Sequence, residues 1–350
     1  MIPFLLILAF SIWISRNIER ERIKNPRKAQ KLKWVLILVL TSFLGFRNGV
    51  GADFFAYIYD YNKWIPLSYG EILSNNEPLI KLIAKFCHLF YSSSVTPFFW
   101  IIAFVFVAPS ICTIYKYADQ FALAVVIFIL CGSYLDSCNA ARQCMAAAVI
   151  FANYDNLRRQ RLVRYLLLTA VATLLHSSAI TMLPLYFVFS PKASLKMQCL
   201  WMLGTAALLL VSFSLLMDIS SEVLGKELEE DVEYFNTAVS AFRVLVFLGP
   251  CVLLLYLKRR EKRLPTFAVF LLFNAILALV TSRSAYLMRV CIYTNIFTCL
   301  ALPEVLENLT LPPKSVRNIM TIMLLCYFFY WIYGILHSAG LYPYHSVFFI

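Results

Sequence analysis

The sequence predicts an all-α protein that crosses a membrane many times. Three observations carry that reading. Hydrophobic residues fill 61% of the 350 positions and charged residues only 14%, unlike any soluble globular class. Apolar runs recur along the whole length, so no long polar region is left for a separate soluble domain. The lysines and arginines collect in short segments between those runs, the positive-inside pattern of polytopic proteins.

A span needs roughly 20 apolar residues, somewhat fewer where flanking side chains snorkel. Taken in order, the runs at 2–15, 34–46, 95–115, 120–134, 140–155, 165–176, 177–189, 197–217, 241–257, 265–281, 286–302 and 318–337 predict about 12 spans, several short enough to be tilted or broken. The first run has no basic start and no small-residue cleavage site, so it reads as a retained helix and not a signal peptide. Segment 47–92 reads as an outer loop. Within it Glu77 to Tyr91 is amphipathic, with Lys81, Lys85 and His88 among apolar residues, as in an interfacial or re-entrant helix. A second outer loop, acidic, is expected at 218–240. All of this belongs to one integral membrane domain over 1–350.

The net charge of +12 does not point to nucleic acid, because the basic residues sit in short loops. The heaviest is 16–33; others are 156–164 and 258–264. Placing these in the cytoplasm puts both termini outside. The ten cysteines fall mostly in apolar runs with no Cys-x-x-Cys pair. They read as small packing residues, with neither a zinc site nor a disulfide framework.

The same topology gathers the remaining polar residues on the outer face. The densest stretch is Phe46-Arg47-Asn48-Gly49-Val50-Gly51-Ala52-Asp53, with Tyr57, just after an apolar run. Charge at a bilayer boundary is costly unless it is paired or does chemistry. The glycines permit tight turns and close ligand approach. Arg47 either binds a phosphate or acidic sugar or pairs with Asp53 to fold the loop. Asp53 is a candidate to polarise a hydroxyl. Arg142, with Asp136 and Asn139 just before it, needs an anionic partner: a lipid-linked diphosphate, Asp136 or Asp53. His176 closes an apolar run before Ser177-Ser178. It is a candidate base or substrate contact, or a hydrogen-bonded helix end. Arg283, Tyr286 and Arg289, spaced by three, would share one helix face as a diphosphate clamp. Snorkelling to lipid headgroups is the alternative. Glu77 opens the amphipathic stretch, where a helix dipole favours a carboxylate in any case. Tyr57 and Tyr286 complete the candidate diphosphate and sugar contacts. His337 and the tail Tyr342-Pro343-Tyr344-His345 read as aromatic belt or sugar stack. The cluster Glu227, Glu229, Glu230, Asp231 and Glu233 reads as a solvated loop or a gate.

At these residues the chain resembles the EpsG family of Wzy-type polysaccharide polymerases. The Arg47–Tyr57 stretch is similar to that family's Arg-x-x-x-Gly-x-Asp-Tyr-x-x-Tyr element, with Phe54 where a tyrosine is usual. In order follow Glu77-Pro78, Ala141-Arg142-Gln143, Leu175-His176-Ser177-Ser178-Ala179, Arg289-Val290-Cys291-Ile292-Tyr293 with Leu302-Pro303, and Tyr342-Pro343-Tyr344. Each is weak alone. The resemblance implies polymerisation of repeat units carried on undecaprenyl pyrophosphate, for O-antigen, capsule or exopolysaccharide, at the outer face of a bacterial inner membrane. It also implies distant kinship with the GT-C architecture, and a chain-length regulator and a flippase as partners.

On this reading Arg142 and Arg289, with Arg47 or Arg283, hold the diphosphate. His176 or Asp53 accepts the proton, with Glu77 behind them. The expected partners are the lipid-linked oligosaccharide and membrane lipid, with no nucleic acid, cofactor or metal. Three alternatives stay open. A ligase would use the same donor and similar arginines. A membrane O-acyltransferase would want a histidine reached from the cytoplasmic side. A lipid-linked glycan flippase would want polar residues across the midplane.

Overall fold

The computed structural model describes residues 1–190, 193–224, 239–258, 267–309, 311–337 and 340–348. Among these the secondary structure is helical. Extended backbone pairs only at an isolated antiparallel bridge between Arg47 and Ser346.

Two helices open the chain, α1 (Ile2–Lys24) and α2 (Pro26–Gly45). The basic loop expected over 16–33 is not a loop. Arg16 to Lys24 holds good helix formers and no glycine or proline, so α1 runs through it. Asn25 ends α1 and caps α2, its side chain accepting from the Lys28 amide, with Pro26 in the first helical position. Three short helices fill 47–92: α3 (Phe54–Trp64), α4 (Tyr69–Ser74) and α5 (Pro78–Phe90). α5 buries Ile80, Ala84 and Cys87 and exposes Phe86, Leu89 and Phe90.

Next comes α6 (Thr96–Tyr117), the central post of the fold. It is followed by α7 (Phe121–Leu130), α8 (Ser133–Asp136), α9 (Ala141–Ala152), α10 (Tyr154–Arg158) and α11 (Leu162–Leu175). A 3₁₀ turn at Ser177–Met182 leads to α12 (Leu185–Val188) and α13 (Leu195–Leu224). The remaining helices are α14 (Ala241–Lys258), α15 (Ala268–Thr281), α16 (Ala285–Met288), α17 (Ile292–Asn295), α18 (Thr298–Glu307) and α19 (Pro313–His337). A 3₁₀ turn at Arg289–Cys291 joins α16 to α17. α13 extends into the expected acidic loop; Glu227, Glu229, Glu230, Asp231 and Glu233 lie outside the described residues, as do Arg259 to Arg263.

α6 packs against α2 and α9 and buries Phe98, Phe99, Ile102, Phe106, Val107, Ile111 and Ile114. α9 offers Ala146, Ala147 and Ala148, all buried, so backbones approach closely where no hydrophobic drive separates helix from lipid. Gly45 serves the same end in α2: a Cβ there would lie 2.6 Å from the Trp100 Cα of α6.

About 12 spans were expected. Among the described residues, four helices are long and apolar enough to cross a membrane: α1, α6, α13 and α19. A bent pair, Ala285–Asn295 with Thr298–Glu307, makes a fifth if counted as one span. The other apolar helices, such as α7, α9, α11 and α15, have 10–17 residues. A 14-residue helix reaches only ~21 Å, short of a ~30 Å hydrocarbon core. Hydropathy sees the apolar run but not the break within it. The breaks fall at polar residues: Asp136 to Asn139, His176, and Ser282 to Ser284.

Charge sorts to two poles. Near the start of α6, Phe99 stacks on Phe54 (4.7 Å) and carries the Arg47 guanidinium at 4.8 Å. Near its end, ~24 Å away at 1.5 Å per residue, Tyr115 meets Arg22 (4.6 Å) and Lys33 (5.1 Å). There too Asp155 pairs with Arg159 at 3.2 Å and lies 3.8 Å from Lys116.

In a cysteine-free background, single cysteines at the exposed positions Arg283 and Arg159 should react with a membrane-impermeant maleimide from opposite sides. Labelling of both from one side would contradict the two-pole arrangement.

Candidate functional site

Glu77 is the centre of the first pole. Its backbone is left-handed (φ 54°, ψ 55°), a costly state for a non-glycine residue, and Pro78 follows it. That turn carries the carboxylate away from its own helix. One oxygen, Oε1, meets His176 Nδ1 at 2.6 Å and accepts from the Ser177 amide at 3.1 Å and Ser177 Oγ at 3.3 Å. The other, Oε2, accepts from Arg142 Nη1 at 3.3 Å. Burial opposes ionisation of Glu77, but the hydrogen bond and charge of His176, the Ser177 amide and Arg142 outweigh it. They hold its pKa at about 2. An ionised carboxylate only accepts, so Nδ1 of His176 carries the proton in this contact, and whenever the ring is neutral Nε2 carries the lone pair.

His176 stands at a break. α11 ends at Leu175, and His176 is extended (φ −153°, ψ 121°) before the 3₁₀ turn. The turn is pinned to α17 by Ser178 Oγ and the buried Tyr293 hydroxyl, 2.9 Å apart.

One face of α3 wraps Arg142. Tyr57, Asp60 and Trp64 follow Asp53 at helical spacing. The Tyr57 hydroxyl accepts from the Arg142 amide at 3.3 Å. The Arg142 guanidinium lies 5.6 Å from the Tyr57 ring centre, 6.0 Å from that of Trp64 and 3.7 Å from Asp60 Oδ2. Asp60 was not singled out in the sequence, though its place seven residues beyond Asp53 was the available signal. Arg142 keeps 33% of its side-chain surface open, against 12% for Glu77, so the cation is more accessible than its carboxylate partner.

Asp53 heads α3 without capping it. Its carboxylate lies 4.0 Å from Arg289 Nη2. Burial raises its pKa, and the charges of Arg289 and Arg142 only partly offset that rise. The backbone of Arg289 is held by Gln143, whose Nε2 donates to the Arg289 carbonyl at 2.9 Å. The loop before Asp53 rests on the Cys138–Asn139 turn, where Asn139 Oδ1 accepts from the Ala52 amide at 2.7 Å. Gly51 makes this possible: its φ is +104° and a Cβ would collide with the Cys138 carbonyl.

Arg47 departs from expectation. It is 2% exposed and donates to the carbonyls of Leu44 (2.7 Å) and Val50 (3.2 Å) over the Phe99 ring. It pins the loop and does not front the cleft. The chain's tail completes the pin. Asn48 N donates to the His345 carbonyl, Val347 N to Phe46 and Gly51 N to Gly340. Tyr344 stacks on Phe43 (4.4 Å) and donates to its carbonyl at 2.7 Å. The tail tyrosine is thus a packing residue here.

The Arg283–Tyr286–Arg289 face does not form as one helix. α15 ends at Thr281, Ser284 caps α16, and the exposed Arg283 precedes that cap. Tyr286 is 44% exposed. Arg289 therefore joins the acidic cluster through a separate turn from Arg283. Behind it stand Asp136, expected as a partner of Arg142, and Arg243, which no sequence motif marks. The Asp136 carboxylate feels the charges of Arg243 and Arg289, and Arg243 faces Asp136 and the Tyr330 hydroxyl. A lone arginine one turn inside an apolar run was the signal for Arg243.

The fold and site together define an all-helical protein with membrane-length apolar helices and an alternating chain of acids and cations at one pole. The family model that matches is described as the EpsG family, over residues 31–346. The chain belongs to the EpsG family. No curated protein and no solved structure matched it.

Two outcomes follow for this site. Arg47→Met should lower stability by roughly 2–4 kcal/mol through loss of two charged hydrogen bonds, read by thermal unfolding. Unchanged stability with lost ligand binding would make Arg47 a ligand residue instead. The folded pKa of Glu77 is depressed, so its stabilisation is complete above the ordinary carboxyl value of 4.5 and is lost as pH falls toward about 2. Glu77→Gln should remove that acid-side loss and lower stability at neutral pH.

Proposed function

We propose that this protein is a polysaccharide polymerase of the bacterial inner membrane. In this reading it transfers a growing glycan from undecaprenyl pyrophosphate to a lipid-linked repeat unit. Family membership supports the general activity. The observation that carries the chemistry is the Glu77–His176 pair, set beside Arg142 and near Asp53–Arg289.

In the proposed step the acceptor hydroxyl attacks the anomeric carbon of the donor. A glycosidic C–O bond forms, the C–O bond to the diphosphate breaks, and the lipid diphosphate leaves with the bonding electrons. His176 Nε2 takes the acceptor proton, and Glu77 orients the ring through Nδ1. Negative charge grows on the leaving diphosphate, which Arg142 and Arg289 stabilise without reorganising. Asp53 aligns Arg289 and the acceptor. Tyr57 holds Arg142, and the exposed Tyr286 offers a ring face to the sugar. The GT-C kinship, the chain-length regulator and the flippase belong to this proposal through the family alone.

The positive-inside rule orients the protein. The pole with Arg22, Lys33, Lys116 and Arg159 faces the cytoplasm, which turns the site to the periplasmic or exterior face. A carrier-linked repeat unit displayed on that face is the substrate that suits this orientation.

Deletion in the native host should leave single repeat units on the carrier or core and abolish the long ladder on a gel. Loss of all surface glycan with accumulated lipid-linked polymer would mark a ligase, and a normal ladder would exclude both. In the intact protein, His176→Ala should lower turnover ~100-fold or more with insertion unchanged. Arg142→Ala and Arg289→Ala should be inactive though abundant; normal polymerisation by either variant removes that arginine from the step.

A further inference from the structure

An apolar groove runs between α14 and α19. Phe242, Leu245, Gly249 and Val252 line one wall, and Ile322 and Met323 the other. Its volume is about 380 Å³. Leu245, Val252 and Ile322 are each 60% exposed or more, so the groove is open along its length. Positions 242 to 253 span ~17 Å at 1.5 Å per residue, close to the ~15 Å depth of one leaflet.

A cation stands beside the head of the groove. Next to Phe242 stands Arg243, whose Nε is buried with no hydrogen-bond partner among the described residues. Phe242 contacts Tyr330 at 5.9 Å, and the Tyr330 hydroxyl pairs with Arg243. The Asp136 carboxylate feels the charges of both Arg243 and Arg289. The Val239 amide donates to the Ser282 carbonyl at 2.9 Å, fixing the start of α14 beside the turn that leads to Arg289. The head of the lipid-facing slot is therefore linked through Tyr330 to a half-buried cation whose Nε is buried and unpartnered among the described residues.

We propose that this groove holds the polyprenyl chain of a polyprenyl diphosphate, with Arg243 at its head facing the diphosphate. The proposal rests on the polymerase reading for the identity of the lipid. Two matches select this occupant: an apolar slot about one leaflet deep, and beside its head a half-buried guanidinium with an unpartnered Nε–H among the described residues. A phospholipid brings a single phosphate where a polyprenyl diphosphate brings two, and it is the competing occupant in the test. An anion alone matches the cation but not the slot.

The test uses the full chain in phospholipid nanodiscs, with radiolabelled geranylgeranyl diphosphate and inorganic diphosphate as probes. Gly249→Trp fills the groove from a position where a Cβ meets open space. Ile322→Trp fills it from the facing helix, should the first variant fail to fold. Either should weaken geranylgeranyl diphosphate binding ~10-fold or more while leaving inorganic diphosphate unchanged. Arg243→Gln should weaken both. Wild-type affinity for the prenyl probe in a folded groove-filling variant would overturn the proposal. So would no saturable binding to the wild type, which assigns the groove to bulk phospholipid. So would dimers trapped through Cys326 that exclude the probe, which assigns it to a second copy. The polymerase reading fails separately: a protein that binds the prenyl probe through the groove but never elongates glycan keeps the groove and loses the reaction.

Discussion

Charge at the end of a bundle of apolar helices has to be neutralised in place, and here one carboxylate does most of it. Glu77 accepts from His176, Ser177 and Arg142, and so ties the start of α5, α9 and the end of α11 to one point. Removing one partner of a buried pair leaves the others uncompensated, which costs far more than the pair contributes. The strained backbone at Glu77 fits that role. A left-handed residue before proline persists only where its surroundings overdetermine it.

The helix breaks follow from the same constraint. Irregular backbone at membrane depth is tolerated where it is buried in protein or lines a polar cavity. The break at His176 frees the Ser177 amide for Glu77. The break before α9 offers Asn139 to the Asp53 loop. The break at Ser282 to Ser284 lets Arg289 turn toward Asp53. Short helices are thus the means by which this fold brings polar backbone and side chains into one cleft.

Much of the site was legible because its residues are polar islands in apolar sequence. Asp53, Glu77, Arg142, His176 and Arg289 stood out for that reason, and the structure brings them together. Arg47 stood out equally and proved to be a pin, since sequence does not say which way a guanidinium points. Arg283 was misplaced because a spacing of three implies a shared face only if the helix is unbroken. About 12 expected spans meet only four or five membrane-length helices among the described residues for a related reason: hydropathy averages over breaks. Arg243 stands alone in an apolar run and Asp60 among Tyr59, Tyr61, Asn62 and Lys63, and for both only packing shows what they face. The hold of the tail on the Arg47–Asp53 loop joins residues about 300 positions apart, a pairing no local pattern carries.

The central claim is that this cleft moves a glycan off a lipid diphosphate. Its most direct test is reconstitution of the purified protein in liposomes with one lipid-linked repeat unit as sole substrate. Glycan length and released polyprenyl diphosphate would be followed together. The account predicts one diphosphate lipid released for each repeat unit added. Release without growth, or neither growth nor release from correctly oriented protein, would contradict it.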